Sequence, residues 1–185
     1  VLGYDLKAVG TYTVLRLKSA MNRGGTIENI YMTRVSAENV RQVLAADLNW
    51  NPSYSYSTLP KEYEGKEIPE HWKVMLTPVE PPEKGYPRFR DIYLSQVKAE
   101  NVDEFISASG WNDTLRLENF YLYGIKAQTN KPGKICYTRN FNLSEITLDV
   151  KDKDAIVLKE NEQSNIHFDY VKTTTDRRTA GNLPH

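Results

Sequence analysis

The stretch Ile27-Glu-Asn-Ile30-Tyr31-Met32-Thr-Arg-Val35-Ser-Ala37-Glu38-Asn39-Val40 returns as Phe89-Arg-Asp-Ile92-Tyr93-Leu94-Ser-Gln-Val97-Lys-Ala99-Glu100-Asn101-Val102. A third copy runs Leu117-Glu-Asn-Phe120-Tyr121-Leu122-Tyr-Gly-Ile125-Lys-Ala127. A fainter fourth starts at Leu143 and keeps Ile146, Leu148 and Val150, and a remnant keeps Ile166, Phe168 and Val171. Within each copy the apolar residues alternate, as Ile30/Met32 and Ile92/Leu94 do, and a period of two belongs to strands. The segments are too short, aromatic and β-branched for the i, i+3, i+4 pattern of helices.

After the first copy, the repeat begins again at Phe89, Leu117 and Leu143, and Ile146 returns as Ile166. Self-similarity at spacings of about 20 to 50 residues marks stacked repeats. A second apolar strand follows the first within each copy, at Leu44, Ile106 and Ile135. Two or three short strands per repeat around a continuous core describe a parallel β-helix, each coil adding about 4.8 Å of height. The crossover rule makes it right-handed. A propeller needs blades of about 40 residues or more, and a sandwich lacks register between copies. The expectation is an all-β chain, a right-handed parallel β-helix solenoid of about five to six coils over residues 1–172, with a tail at 173–185.

One segment breaks the period. The step from Ile27 to Phe89 is more than double any later one, and the excess, residues 51–87, holds seven of the nine prolines. It contains Pro52-Ser-Tyr54-Ser-Tyr56 and Ile68-Pro-Glu-His71-Trp72. A long insertion in a solenoid leaves the stack as a loop, and its aromatic content favours an ordered one.

The 185 residues carry 24 basic and 24 acidic side chains and 39% hydrophobic residues. That composition is globular, and charge neutrality argues against non-specific nucleic-acid binding. No apolar run reaches the roughly 18 residues of a membrane span. The single cysteine, Cys136, excludes an internal disulfide and a cysteine-rich zinc site. No cofactor or metal is expected, because His71 has no second histidine at ligand spacing. Asn112-Asp-Thr114 and Asn142-Leu-Ser144 match the N-glycosylation pattern, which matters only in a eukaryotic secretory setting.

Arg16-Leu17-Lys18 follows Tyr12-Thr-Val14-Leu15 and sits on a strand. Alternation sends Leu15 and Leu17 inward and Arg16 and Lys18 outward. Two cations roughly 7 Å apart on a rigid sheet suit a carboxylate or phosphate. The plain alternative is a pair of solvated surface charges. In Leu44-Ala-Ala-Asp47-Leu48-Asn49-Trp50 the same alternation expects Asp47 and Asn49 on the outer face, stacked beside Arg16 and Lys18. Asp47 is either a catalytic carboxylate or a partner for those cations, and Asn49 is a donor for a sugar hydroxyl. Trp50, Tyr54 and Tyr56 offer rings suited to pyranose faces, or serve only to pin the loop. Ser107, Ser109 and Trp111 extend the face.

Arg16-Leu-Lys18, placed shortly before Arg23-Gly-Gly25 and followed by Ile27-Glu-Asn-Ile30-Tyr31, resembles the Arg-x-Lys signature of glycoside hydrolase family 28, the polygalacturonases. The likeness extends to about Val171 and includes the proline- and tyrosine-rich insertion. The resemblance implies a right-handed β-helix and hydrolysis of α-linked galacturonic acid in pectin with inversion, in which one carboxylic acid protonates the leaving oxygen and a carboxylate base activates water. It implies that Arg16 and Lys18 receive the substrate carboxylate and that Tyr54 contacts sugar. The family's acidic motifs precede Arg-x-Lys, whereas the short stretch before Arg16 contains none of them and Asp5 stands without a neighbouring Asp. The expectation is therefore the C-terminal portion of such an enzyme, with the catalytic acids upstream and the chain inactive alone. It would work outside the cytoplasm, in an extracellular or periplasmic setting. Its partners would be pectic polysaccharide or oligogalacturonides, not nucleic acid or membrane. Its open end would pair with itself or with the missing half. The rival is a non-catalytic carbohydrate-binding or adhesin-like module. A third reading makes the chain a complete enzyme, using Asp47 with Asp103 or Glu104.

Overall fold

A computed structural model describes residues 1–55, 58–152 and 155–170. Seven strands, β1 (Leu2–Val9), β2 (Thr13–Lys18), β3 (Thr26–Asp47), β4 (Arg88–Ser109), β5 (Leu117–Val150), β6 (Val157–Glu162) and β7 (Asp169–Tyr170), form a sheet in which every strand pairing is parallel. Their order is β1-β3-β4-β5-β6, with β2 also on β3 and β7 also on β5. Two short helices, α1 (Pro52–Ser55) and α2 (Glu70–Leu76), and 3₁₀ turns at Lys61–Tyr63 and Pro82–Gly85 lie between β3 and β4. The chain is mostly β, with a parallel sheet.

Strands of 22, 22 and 34 residues far exceed the usual length. They bend at single residues with left-handed backbone. Asn29, Asp91, Asn119 and Asn140 form one column of bends, at φ of 55, 57, 56 and 54°. Arg34, Gln96, Gly124 and Glu145 form a second, and Gly10, Asn39 and Asn101 a third. Asn and Asp tolerate this backbone because their short side chains bond locally. Here they bond to the next layer: Asn119 donates to Asp91 at 2.8 Å and Asn140 to Asn119 at 2.8 Å.

Between bends the alternation read from the sequence holds. Val35, Val97 and Ile125 share one inward column, and Ala37, Ala99 and Ala127 another, all buried. Ile92 and Phe120 stack in register, and Phe120 lies on Phe141 at 5.1 Å. Outside, Tyr31, Tyr93 and Tyr121 stack at 4.7 and 5.0 Å. Repetition of one residue type every layer lets identical shapes nest, which is how a stacked sheet reaches interior packing density. The insertion leaves this register intact: Thr26 faces Arg88 at one side of it and Asp47 faces Ser109 at the other. It returns against the turn after β2, where the Gly24 N–H bonds the Gly85 carbonyl at 2.9 Å. A Cβ on Gly85 would stand 2.8 Å from the Asn22 Cα, so only glycine fits.

Three register expectations are corrected. The repeat sets Ile135 level with Leu44 and Ile106. A shift between Ala99 and Val102 instead puts Gly133 opposite Ile106 and Ile135 opposite Ala108. Gly133, at φ 97°, approaches the Ile106 carbonyl so closely that a Cβ would lie 1.8 Å from its oxygen. The repeat also sets Leu143 above Leu117, yet the Asn119–Asn140 bond brings Leu143 level with Leu122. The layer that reaches Asn140 is shorter than the period suggests, whereas the next is longer: Thr147 faces Asp169, which sets Phe168 and not Ile166 level with Ile146. The expected tail at 173–185, and Val171, lie outside the described residues.

Candidate functional site

β2 pairs with β3 so that Arg16 faces Ala45 and Lys18 faces Asp47. The same columns continue to Ser107 and Lys134, and to Ser109 and Cys136. Leu15 and Leu17 are buried, which leaves Arg16 and Lys18 on the outer face, as alternation requires.

The two cations are held by rings. The Lys18 ammonium lies 4.3 Å from the Trp50 ring centre, and the Arg16 guanidinium lies 5.5 Å from Trp50 and 4.9 Å from Tyr12. Arg41 lies 4.8 Å from the same Tyr12 ring. Tyr54 stacks on Trp50 at 5.6 Å. The result is a continuous row, Arg41–Tyr12–Arg16–Trp50–Lys18, with Tyr54 stacked on Trp50. Cation–π contacts of this kind orient a cation without neutralising its charge. Among the described residues, no carboxylate forms an ion pair with Arg16, Lys18 or Arg41. The row therefore presents net positive charge and two half-exposed rings, Trp50 at 37% and Tyr54 at 47%.

Asp47 sits in register with Lys18 but makes no ion pair with it or with Arg16. Its carboxylate accepts the Asn49 backbone N–H at 2.8 Å. Burial raises its pKa above the ordinary aspartate value; the Asn49 N–H and the positive charge of Lys134 pull against that rise. Asn49 departs from the expected outward position. It is 7% exposed, and its Oδ1 accepts the Met21 N–H at 3.3 Å and the Ser55 hydroxyl. The reason is that the strand ends at Asp47, so alternation no longer governs residue 49. Asn49 ties α1 to the turn after β2 and so places Trp50 and Tyr54. The Arg23 Nε donates to the Tyr54 carbonyl at 2.9 Å and adds a second tie. Tyr56 lies outside the described residues.

Ser107 and Ser109 share the face, half-buried, and the Ser109 hydroxyl donates to the Gly110 carbonyl at 2.9 Å. Trp111 is exposed in the turn beyond β4. Glu104 faces Gln42, five positions along the strand from Ser109, which faces Asp47. At a strand rise of about 3.3 Å per residue, Asp47 and Glu104 stand roughly 16 Å apart along the sheet. Inverting glycosidases set their carboxyls about 6.5 to 9.5 Å apart. The pairing of Asp47 with Glu104, or with the still more distant Asp103, does not meet that requirement.

Sequence reasoning passed over Tyr12 and Arg41. Tyr12 carried a usable signal, since it shares parity with Arg16 and Lys18 along one strand. Arg41 carried none, because its place beside Tyr12 depends on the register between β2 and β3, in which Thr13 faces Gln42.

Comparison with protein families, curated proteins and solved structures gives no match for this chain.

Proposed function

We propose that the chain winds as a right-handed parallel β-helix and is the substrate-holding, C-terminal part of a polygalacturonase-like glycoside hydrolase. Its ligand is α-linked galacturonic acid in pectin. The inverting acid and base are supplied by chain upstream of these residues, and the enzyme works in an extracellular or periplasmic setting. The stacked register and the columns of left-handed bends support the β-helix. The Arg16-Leu-Lys18 signature and the insertion support the family. The single observation that carries the ligand class is the cation pair Arg16 and Lys18, held by Tyr12 and Trp50 without carboxylate partners among the described residues. A uronate supplies the missing anion through its carboxylate and an amphipathic ring face for Trp50 and Tyr54.

A second reading, a non-catalytic carbohydrate-binding module, is favoured by one feature: the acids nearest the row are too far apart to act as an inverting pair. Both readings bind uronate and differ in the chemistry of the intact protein. The test is calorimetric titration of this chain with oligogalacturonides, alongside reducing-sugar release from polygalacturonate. Binding without hydrolysis is expected. Hydrolysis by this chain would overturn the upstream assignment of the acids, and absence of binding would overturn the ligand class.

A further inference from the structure

We infer that Tyr12 and Arg41 build a second acidic-sugar subsite, so that a bound uronate chain lies along β2 and passes Tyr12 into the recess beyond it. The inference rests on the uronate-binding reading of the Arg16–Lys18 row. The row from Lys18 to Tyr12 follows one strand for roughly 20 Å at the usual strand rise. That length exceeds what a single sugar ring can cover. At its far end lies an open recess of about 470 Å³ lined by Gly10, Tyr12, Asn39, Arg41, Asn101 and Asp103.

The recess holds the groups a uronic acid residue requires. Arg41 supplies a two-pronged donor for the carboxylate, held by the Tyr12 ring at 4.8 Å and not engaged by any acid among the described residues. Tyr12 is half exposed and touches both Arg16 and Arg41, so it joins the two subsites. Asn101 donates its amide to Asn39, and both stand at left-handed bends along one corner of the stack. Asp103 accepts from Asn130 at 3.4 Å and leaves acceptor capacity for a sugar hydroxyl. Asp103 stands level with Arg41 on the neighbouring strand, between the pairs Val40–Val102 and Gln42–Glu104, so its negative charge sets the sugar carboxylate on the Tyr12 side of Arg41 and the hydroxyls toward itself. The floor is rigid because Val40 and Val102 beneath it are buried in register.

The test compares the unaltered chain with Arg16→Ala, Arg41→Ala and Arg41→Lys. Each is titrated calorimetrically with galacturonic acid and with oligogalacturonides of increasing length at fixed low salt. Arg16→Ala is expected to weaken binding of every ligand. Arg41→Ala is expected to leave the shortest bound ligand unaffected and to weaken longer ones by roughly ten- to hundred-fold, the value of a charge-assisted hydrogen bond. Arg41→Lys should recover part of that loss, because it keeps the charge without the fork. Thermal melting of each variant checks that the sheet is intact. If Arg41→Ala binds every length as the unaltered chain does while Arg16→Ala is weakened, the second subsite falls and the first stands. Equal weakening at every length also overturns it, since Arg41 would then belong to the first subsite. No binding by the unaltered chain overturns the ligand class and this inference together.

Discussion

Asp47 illustrates how one residue on the cation-rich face is tuned by its surroundings. Its carboxyl titrates above the ordinary value of 3.8 because burial disfavours the charged form. The folded state therefore holds the proton to higher pH than the unfolded chain does. Between 3.8 and the raised folded value, stability falls as pH rises, and above that window the cost of the buried charge is present in full. Asp47→Asn removes the cost and keeps an oxygen for the Asn49 N–H. The variant should melt at higher temperature than the unaltered chain at pH 7, with the gap closing as pH drops below about 3.8. A gap that persists or grows in acid would show that burial is not the cause. Asn49 teaches the complementary lesson at the same scale. Its type and position read as an outward donor, yet the end of the strand turned it inward, where it anchors the aromatic pair.

At the scale of the element, the bends matter more than the straight segments. Each long strand changes direction at single left-handed residues, and the ladder Asp91–Asn119–Asn140 couples three such bends through side-chain amides. Asn119 contributes both tolerance of the backbone and two hydrogen bonds. Asn119→Ala loses both, and should cost about 2 to 4 kcal/mol by urea denaturation. Asn119→Gly loses only the bonds and should cost about half as much. Equal losses in the two variants would mean that the backbone conformation is not what the asparagine supports. The repeats were readable at this scale as far as Ala99, since Ile30/Ile92/Phe120 and Val35/Val97/Ile125 recur with similar side-chain types. Beyond it the register slips at the Ala99–Val102 irregularity, and no residue type announces that slip. The adjustment is absorbed by backbone, with Gly133 closing on Ile106, and a glycine in a strand pattern is compatible with many geometries.

At the scale of the whole molecule, the two ends of the sheet differ. β1 pairs only with β3 among the described strands, so its other edge presents unpaired backbone groups. Leu6 lies in register with buried Val35 but is 39% exposed, and Val1, Leu2, Tyr4 and Val9 are exposed beside it. An apolar edge strand of this length is a template for further pairing. We expect the chain to associate through this edge with a second copy of itself. Sedimentation across a wide concentration range should reveal the self-associated species, and Leu6→Glu should disperse it. A single monomeric species throughout, for the unaltered chain, would remove this expectation.

The sequence by itself determined where the main strands run, which side of each faces the core, where the insertion departs and that Arg16 and Lys18 point outward. These follow from local rules: a period of two, turn chemistry and repetition of residue types. Only the tertiary structure decided that Tyr12, Arg41 and Trp50 surround those cations, that Asn49 is buried and that Asp47 stands apart from Glu104. Such facts depend on register between segments distant in the chain, as when Thr13 meets Gln42 or Asp47 meets Ser109. Register is settled by how whole layers nest, not by the neighbours of any one residue.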